Sequence, residues 1–516
     1  MALNLPLRKI TTEGWWPNSY DVLVYQEGGH YYAKDRNGNV ICADTPTACL
    51  QESVQLAKLN GGGKILIKRG EYNVSQTIDL GEGDLKLTIE GEDMFSTVIS
   101  PASDIAVFKA VATSANAGVR MLTIRNLRIR GNSYGTGVVL GASQQNVLQY
   151  AALITIERVF FDSLKQSIYA NNLWISKISD VISNGGVAGG PPVIQLDQNG
   201  SDTSHDVYIV RLYAENNKAR PISIPARAYN IVIQESFIDA HNNVDYLIYM
   251  DPTSYYNIVA NSYLAGATSY AIYASPGTKI TSNLIWYCSG GIYSMGGVIV
   301  GNRFAEIPND AIYVVSSPTY VNLVENNTIQ FVGRGVRSEA DQVLIIGNRF
   351  YNISNQAVWI NYRTGNIIVG NSVYEAQTSG GVAIIDITGQ FHVIKDNYIN
   401  SSKGTHAIAE GDGNNNVIEG NSIIAPKSIL WVGPNTIVKD NIGYITVKSS
   451  TATIASGSTS VTVSHGMSCT PRKVFITPLA QPSGQLWVSD ITNTSFIIRI
   501  SSAPSANLPV AWYAEC

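Results

Sequence analysis

LIYM at Leu247, AIYA at Ala271, GIYS at Gly291 and AIYV at Ala311 are one phrase repeated, and it continues as GVRS at Gly335, AVWI at Ala357, GVAI at Gly381, AIAE at Ala407 and ILWV at Ile429. The second position is Ile, Val or Leu in every copy. The third is often aromatic: Tyr249, Tyr273, Tyr293, Tyr313, Trp359 and Trp431, with Tyr169 of SIYA upstream. Side chains alternate sides along a strand, so the second position points into a core and the third points out. Stacked in register, the phrases build an aliphatic ladder inside and an aromatic one outside.

A second phrase, roughly I-x-x-N-x-φ, alternates with the first. It is clear at Asn283, Asn302, Asn327, Asn348, Asn371, Asn397, Asn421 and Asn441. Asn126 and Asn261 fit it upstream, and Arg158, Asp180, Arg211 and Glu235 fall near the same slot. From Asn126 to Asn441 there are about thirteen units of roughly 24 residues, the signature of a solenoid. The aromatic slot follows the Asn slot at a near-constant offset, which confines length variation to one loop per unit. This predicts a parallel β-helix. Asn tolerates left-handed backbone, so the Asn slot is expected to form a tight corner. The longest loops, GASQQNVLQY and NGGVAGGPP, are expected to project from the side.

Composition agrees. Only 14% of the 516 residues are charged, while Gly (45) and Tyr (28) are abundant, a mixture that suits strands and turns. A net charge of −4 argues against nucleic-acid binding. No apolar run reaches membrane-span length, and the first residues carry no secretory h-region. With no CxxC motif or His-rich cluster, no metal or other cofactor is expected. Disulfides Cys42–Cys49 and Cys469–Cys516 are possible, against the alternative of five buried thiols.

Three parts are expected. Residues 1–42 form an entry segment with two strands around Asp35-Arg36-Asn37-Gly38. Residues 43–446 hold a capping helix and the β-helix. Thr45 is its N-cap, Pro46 its first residue, and Leu50, Val54 and Ala57 its apolar stripe. Residues 447–516 read as a small β-sandwich.

LNGGGKILIKRGEYNVSQTI, following that helix, resembles the opening of the right-handed β-helices of the pectate-lyase-like superfamily, which includes viral tailspikes. With YYAKDRNGNV ahead of it, it is similar to β-helix proteins of archaea and their viruses. SVTVSHGMSCTPRKVFITPL resembles a C-terminal sandwich of viral surface proteins. The resemblance implies an all-β fold, a place on a virion surface or outside a cell, a homotrimer, and a polysaccharide or host-surface glycan as partner. The superfamily holds lyases, hydrolases and non-catalytic adhesins, so an enzyme remains an alternative. Polygalacturonase signatures are not evident: the RIR at Arg128–Arg130 and the HG at His465–Gly466 lack the accompanying Asp pairs. Nor is there the clustered Asp of a calcium-dependent pectate lyase.

Tyr249, Tyr273, Tyr293 and Tyr313, with Arg337 and Trp359 in the same slot, are the candidate glycan-binding residues. A row of rings can stack on sugars, line a subunit interface, or only stabilise the sheet. Arg337 would place a cation where an anionic sugar sits. The candidate catalytic acids are Asp251, Glu306, Asp310 and Glu339. Asp251 and Glu339 are expected about four rungs apart, roughly 19 Å, too far for a glycosidase pair. Glu306 and Asp310 flank Ile307-Pro308 and are expected to approach closely. Glu215, Glu235, Asp239 and Asp245 form a further acidic group, and Arg334, Arg337, Glu339 and Asp341 a charged one. For all of these the alternative is a solvated face. The six His show no triad pattern.

Overall fold

The computed structural model describes residues 20–143, 148–200, 202–315, 320–376, 383–403, 406–430, 433 and 435–516. Trp431, Gly381, residues 1–19 and part of the GASQQNVLQY loop lie outside them. The chain divides into two units, Met1–Leu323 and Val324–Cys516.

The first unit opens with an antiparallel hairpin, Val22–Glu27 with His30–Asp35. The Asp35 carboxylate accepts from the backbone N–H of Asn37 and Asn39 and closes the following turn. The helix Pro46–Leu59 begins where Thr45 Oγ1 accepts from Ala48 N–H at 3.2 Å. Its buried stripe is Cys49, Leu50, Val54 and Ala57. Cys42 and Cys49 are joined by a disulfide.

Stacked parallel coils follow. Ile65, Ile89, Ile124, Ile156, Ile178, Ile209, Ile233, Val259, Ile280 and Ile299 stand one above another. A second inner column runs Phe108, Val138, Ile168, Ile194, Ile222, Ile248, Ile272, Ile292 and Ile312. Ile168, Ile248, Ile272, Ile292 and Ile312 in it are the second positions of the repeated phrase. All are almost fully buried, each contributing about 1.5–3 kcal/mol through loss of water contact. The second unit repeats the pattern with Val336, Val358, Ile385, Ile408 and Ile429.

The Asn corner differs from expectation by one residue. In most coils it is the residue before the Asn that is left-handed: Ser282, Asn326, Asp396 and Asp440 have φ between 52° and 58°, and Gly301, Gly347, Gly370 and Gly420 between 64° and 68°. The Asn side chain turns inward instead. In the second unit Asn327, Asn348, Asn371, Asn397, Asn421 and Asn441 form an unbroken buried ladder. Each Oδ1 above accepts from the backbone N–H of the Asn below at 2.9–3.0 Å. Asn257, Asn283 and Asn302 are buried in the first unit. A one-residue offset separates two needs: a corner wants a residue that tolerates φ > 0, while a buried amide must satisfy all its polar atoms.

The upstream coils show the same division. Asn126, Arg158, Asp180, Arg211, Glu235 and Asn261 are left-handed, with φ of 51–57°. The inner slot next to each holds Leu127, Val159, Val181, Leu212, Ser236 or Ser262, all buried. Arg and Glu pay about 1–2 kcal/mol for this backbone. Contacts between coils offset the cost: Arg211 pairs with Asp180 at 2.6 Å and Glu235 at 3.3 Å, and Arg158 Nε donates to Asn126 Oδ1 at 2.6 Å.

The chain ends in two three-stranded antiparallel sheets, Val447–Ile454, Leu508–Glu515 and Lys473–Pro478, and Ser460–Ser464, Ser495–Ile500 and Leu486–Ser489. Ile454, Phe496, Ile498, Val510 and Trp512 give them one shared core. Cys469 and Cys516 are bonded. Cys288 is a buried thiol, its pKa pushed up to about 12 by burial. His465 is also buried, its Nδ1 accepting from Met467 N–H at 3.0 Å. This gives the HG dipeptide a structural role.

Candidate functional site

Tyr249, Tyr273, Tyr293 and Tyr313 occupy consecutive rungs. Tyr249 and Tyr273 stack at 5.1 Å between ring centroids, and Tyr273 and Tyr293 at 4.7 Å with planes 7° apart. Tyr313 ends the run by turning 87° against Tyr293 at 5.1 Å. All four are half-buried. Two neighbours invisible in the phrase complete the row. Tyr246 packs edge-on against Tyr273, and Tyr270 against Tyr293. The Arg220 guanidinium lies 4.7 Å from the Tyr249 ring centre and 5.3 Å from that of Tyr246, and the Asp245 carboxylate holds it at 2.8 Å and 2.5 Å. Burial, then the nearby Asp251 carboxylate, push the Tyr249 hydroxyl pKa upward. Tyr169 shares the slot but not the row, because Gln195 and Ser223 occupy the rungs between. Its hydroxyl donates to Asp197 at 3.2 Å.

In the second unit the slot runs Arg337, Trp359, Asp386, Ala409 and Leu430. The repeated phrase places Ala383 and Trp431 there. The real register is shifted at both coils, so Asp386 and Leu430 take those positions. The guanidinium of Arg334 lies 4.5 Å from the Trp359 ring centre and that of Arg337 5.1 Å. Arg337 is also paired with Glu339 at 2.5 Å, and Arg334 Nε donates to Gln356 at 2.9 Å.

The candidate acids do not assemble. Asp251 accepts from Thr253 N–H and Oγ1 at 2.9 Å and 2.7 Å, which makes it a turn-former. Glu339 is held by Arg337. Glu306 is exposed in a left-handed corner while Asp310 is 5% exposed. The expected close pair therefore does not present two carboxylates to one surface.

Two further rows of rings lie in other columns of the first unit. Tyr213, Phe237 and Tyr263 stack at 4.9 Å and 4.7 Å, with Trp286 beyond at 6.4 Å. Tyr150, Trp174, His205, Tyr229 and Tyr255 stack at 4.3–5.6 Å. The first was legible: Tyr213, Phe237 and Tyr263 each stand two residues after a corner residue (Arg211, Glu235 and Asn261). Beside that row, His241 Nε2 lies 3.8 Å from Glu215 Oε1 and 3.5 Å from Asp239 Oδ2. Two carboxylates on one imidazole nitrogen lie at most about 7 Å apart, no farther than the paired acids of glycosidases can be. Tyr213 donates to Glu215 at 2.7 Å. Glu215 and Asp239 belong to the acidic group seen in the sequence; His241, two residues after Asp239 on the same strand, was not among the candidates, because Glu215 reaches it only across stacked coils.

No protein-family model matches the sequence, and no curated protein matches it. Among solved structures, a mutant tailspike protein of E. coli bacteriophage HK620, in complex with a pentasaccharide, aligns with a TM-score of 0.52 at 11% identity, covering 93% of this chain and 92% of that one. The chain has the tailspike type of parallel β-helix fold. The Dettilon tailspike protein aligns at a TM-score of 0.41 and 13% identity over 91% of each chain. The A-module of the Azotobacter vinelandii mannuronan C-5 epimerase AlgE6 aligns at 0.34 and 16% over 77% of this chain and 95% of that one.

One group in this tailspike-like helix carries a pH prediction. Burial raises the Asp386 carboxyl above its ordinary 3.8, and Gln356 and Arg334 only partly oppose this. The folded state thus holds a proton that the unfolded state releases first. Stability from this group is present below pH 3.8 and declines as the pH rises past it. Asp386→Asn is expected to unfold at the same or higher urea concentration than the parent at pH 7, and to flatten that decline. Urea midpoints across pH 3.5–7 check it; a variant clearly less stable at pH 7 contradicts it.

Proposed function

We propose that this protein binds a cell-surface glycan along the flank of its β-helix, as a tailspike-like homotrimer on a virion surface or otherwise outside a cell. The observation that carries the reading is the row Tyr249–Tyr273–Tyr293–Tyr313, half-buried and bordered by the Arg220–Asp245 pair. Phenol hydroxyls, a guanidinium and carboxylates set along one line supply the directional hydrogen bonds that sugars require. Arg337 and Trp359 are proposed as a second contact region in the other unit. The pentasaccharide bound to the HK620 tailspike supports the ligand class, and two disulfides favour an oxidising location.

A second reading, polysaccharide hydrolysis, is favoured by the Glu215–His241–Asp239 arrangement beside the Tyr213 row. In it one carboxyl protonates the leaving oxygen while the other attacks the anomeric carbon or takes a proton from the water that attacks it.

Size-resolved mass measurement followed by incubation with a polysaccharide panel tests both. A trimer that retains polymer without shortening it is the expected result. Release of reducing ends, abolished in Glu215→Gln, establishes the hydrolytic reading. Failure to retain any polysaccharide removes the first.

A further inference from the structure

The Tyr249–Tyr313 row differs from a flat aromatic platform in one physical respect. Its ring faces are already used. Tyr249 is covered on one side by the Arg220 guanidinium and on the other by Tyr273. Tyr273 lies between Tyr249 and Tyr293, and Tyr293 is closed off by the perpendicular Tyr313. Tyr246 and Tyr270 pack against the sides at 70° and 67°. Each Tyr occupies an outward position on its strand, so the ring axis leaves the sheet and the outer rim carries the hydroxyl. What faces a ligand is a column of phenol rims on rings whose centres are 4.7–5.1 Å apart, not a set of apolar ring faces. That spacing is close to the length of one pyranose residue in an extended chain.

Resting on the glycan reading, we infer that this row is an edge-on subsite for a linear, extended oligosaccharide that runs parallel to the β-helix axis, about one sugar per rung, and is held by the tyrosine hydroxyls. Sugar hydroxyls both donate and accept, and so does each phenol. A neutral ligand satisfies such a column without needing an apolar face. The Arg220–Asp245 pair marks one end of the row, its fork already oriented by the carboxylate. Hydrogen bonds rather than ring stacking then set both affinity and register.

The two modes respond oppositely to the same substitution. Tyr249→Phe with Tyr273→Phe keeps the stack and removes two hydroxyls. The probes are linear cello-, chito- and polyuronate oligosaccharides of two to six sugars, titrated calorimetrically against the full-length protein. For the oligosaccharides that bind, affinity is expected to fall about tenfold in the double variant, each lost bond contributing a few-fold. Affinity in the parent is expected to rise from two to four sugars and then level off, since the row has four rungs. Unchanged affinity in the double variant overturns the edge-on mode and leaves glycan binding standing. Affinity that does not grow beyond a disaccharide overturns the axial alignment. If the parent binds none of the probes, the inference falls together with the reading it rests on. Unchanged thermal unfolding of the double variant shows that a loss of affinity is not a loss of fold.

Discussion

Asn371→Leu is expected to destabilise the second unit by about 3–5 kcal/mol, because each buried polar group left unsatisfied costs about 1–3 kcal/mol. Asn371 stands in the middle of the inner ladder and is 1% exposed. Its Oδ1 accepts from Asn348 N–H at 2.9 Å and from Asn348 Nδ2 at 3.0 Å. Its Nδ2 donates to Ile345 O at 2.9 Å, Val369 O at 3.2 Å and Asn397 Oδ1 at 3.0 Å. Leucine has nearly the same size and none of these groups. The buried donors of Asn348 and the acceptor of Asn397 lose a partner together, with no water to replace it. Asn371→Asp keeps the acceptor and, where the carboxyl is protonated at low pH, replaces the two amide N–H donors by one O–H, so it should there fall between parent and Leu. Near neutral pH the buried charge should make it at least as damaging as Leu. Urea unfolding followed by tryptophan fluorescence checks the order. A loss below about 1 kcal/mol for Asn371→Leu would show that the ladder is not satisfying otherwise unpaired groups.

The second large effect concerns the end of the chain. Cys516 is bonded to Cys469 across 47 residues. Its N–H donates to Thr446 O at 3.1 Å, and Ser468 N–H donates to Ile445 O at 2.9 Å. The disulfide therefore ties the last strand to the loop before Lys473–Pro478, and the two backbone hydrogen bonds join both to the end of the coils. Closing a loop of that length removes about 4 kcal/mol of unfolded-chain entropy. The core it protects is small, and a domain of that size retains little stability of its own. Replacing both cysteines by serine is expected to make residues 447–516 unfold at a lower temperature than the coils. A separate low-temperature calorimetric transition would report this, as would selective proteolysis after the coils. The Cys42–Cys49 bond, between residues seven apart, closes a much shorter loop, and replacing both of its cysteines should cost less. Equal effects of the two pairs would contradict the loop-length argument.

The repeat was readable because the core of a β-helix is one-dimensional. Every coil presents the same environment to the same position, so Ile248, Ile272, Ile292 and Ile312 answer to one constraint and leave a period in the sequence. The αL corner was legible as a place and misassigned by one residue. Asn and Gly both tolerate the corner, but Asn alone also builds an inward amide ladder, and a linear string does not show which way a side chain turns. The shifted registers at Asp386 and Leu430 have a related cause. Loop length varies between those coils, and only the hydrogen-bonded ladder decides which residues become neighbours.

By itself the sequence determined the all-β stacked architecture, the capping helix with Thr45 and Pro46, and the outward row Tyr249, Tyr273, Tyr293 and Tyr313. Each depends on short-range pattern: strand alternation, a local cap, a repeated phrase. The tertiary structure decided how those rings present themselves. Arg220, Tyr246 and Tyr270 reach the row from other positions and cover its faces, so what looks like an apolar platform along the chain becomes a column of hydroxylated rims. It also brought Glu215 of the preceding coil up to Asp239 and His241, which share one strand, a contact that sequence spacing does not show. Side-chain neighbours across coils are set by loop length and register, and both are properties of the folded stack.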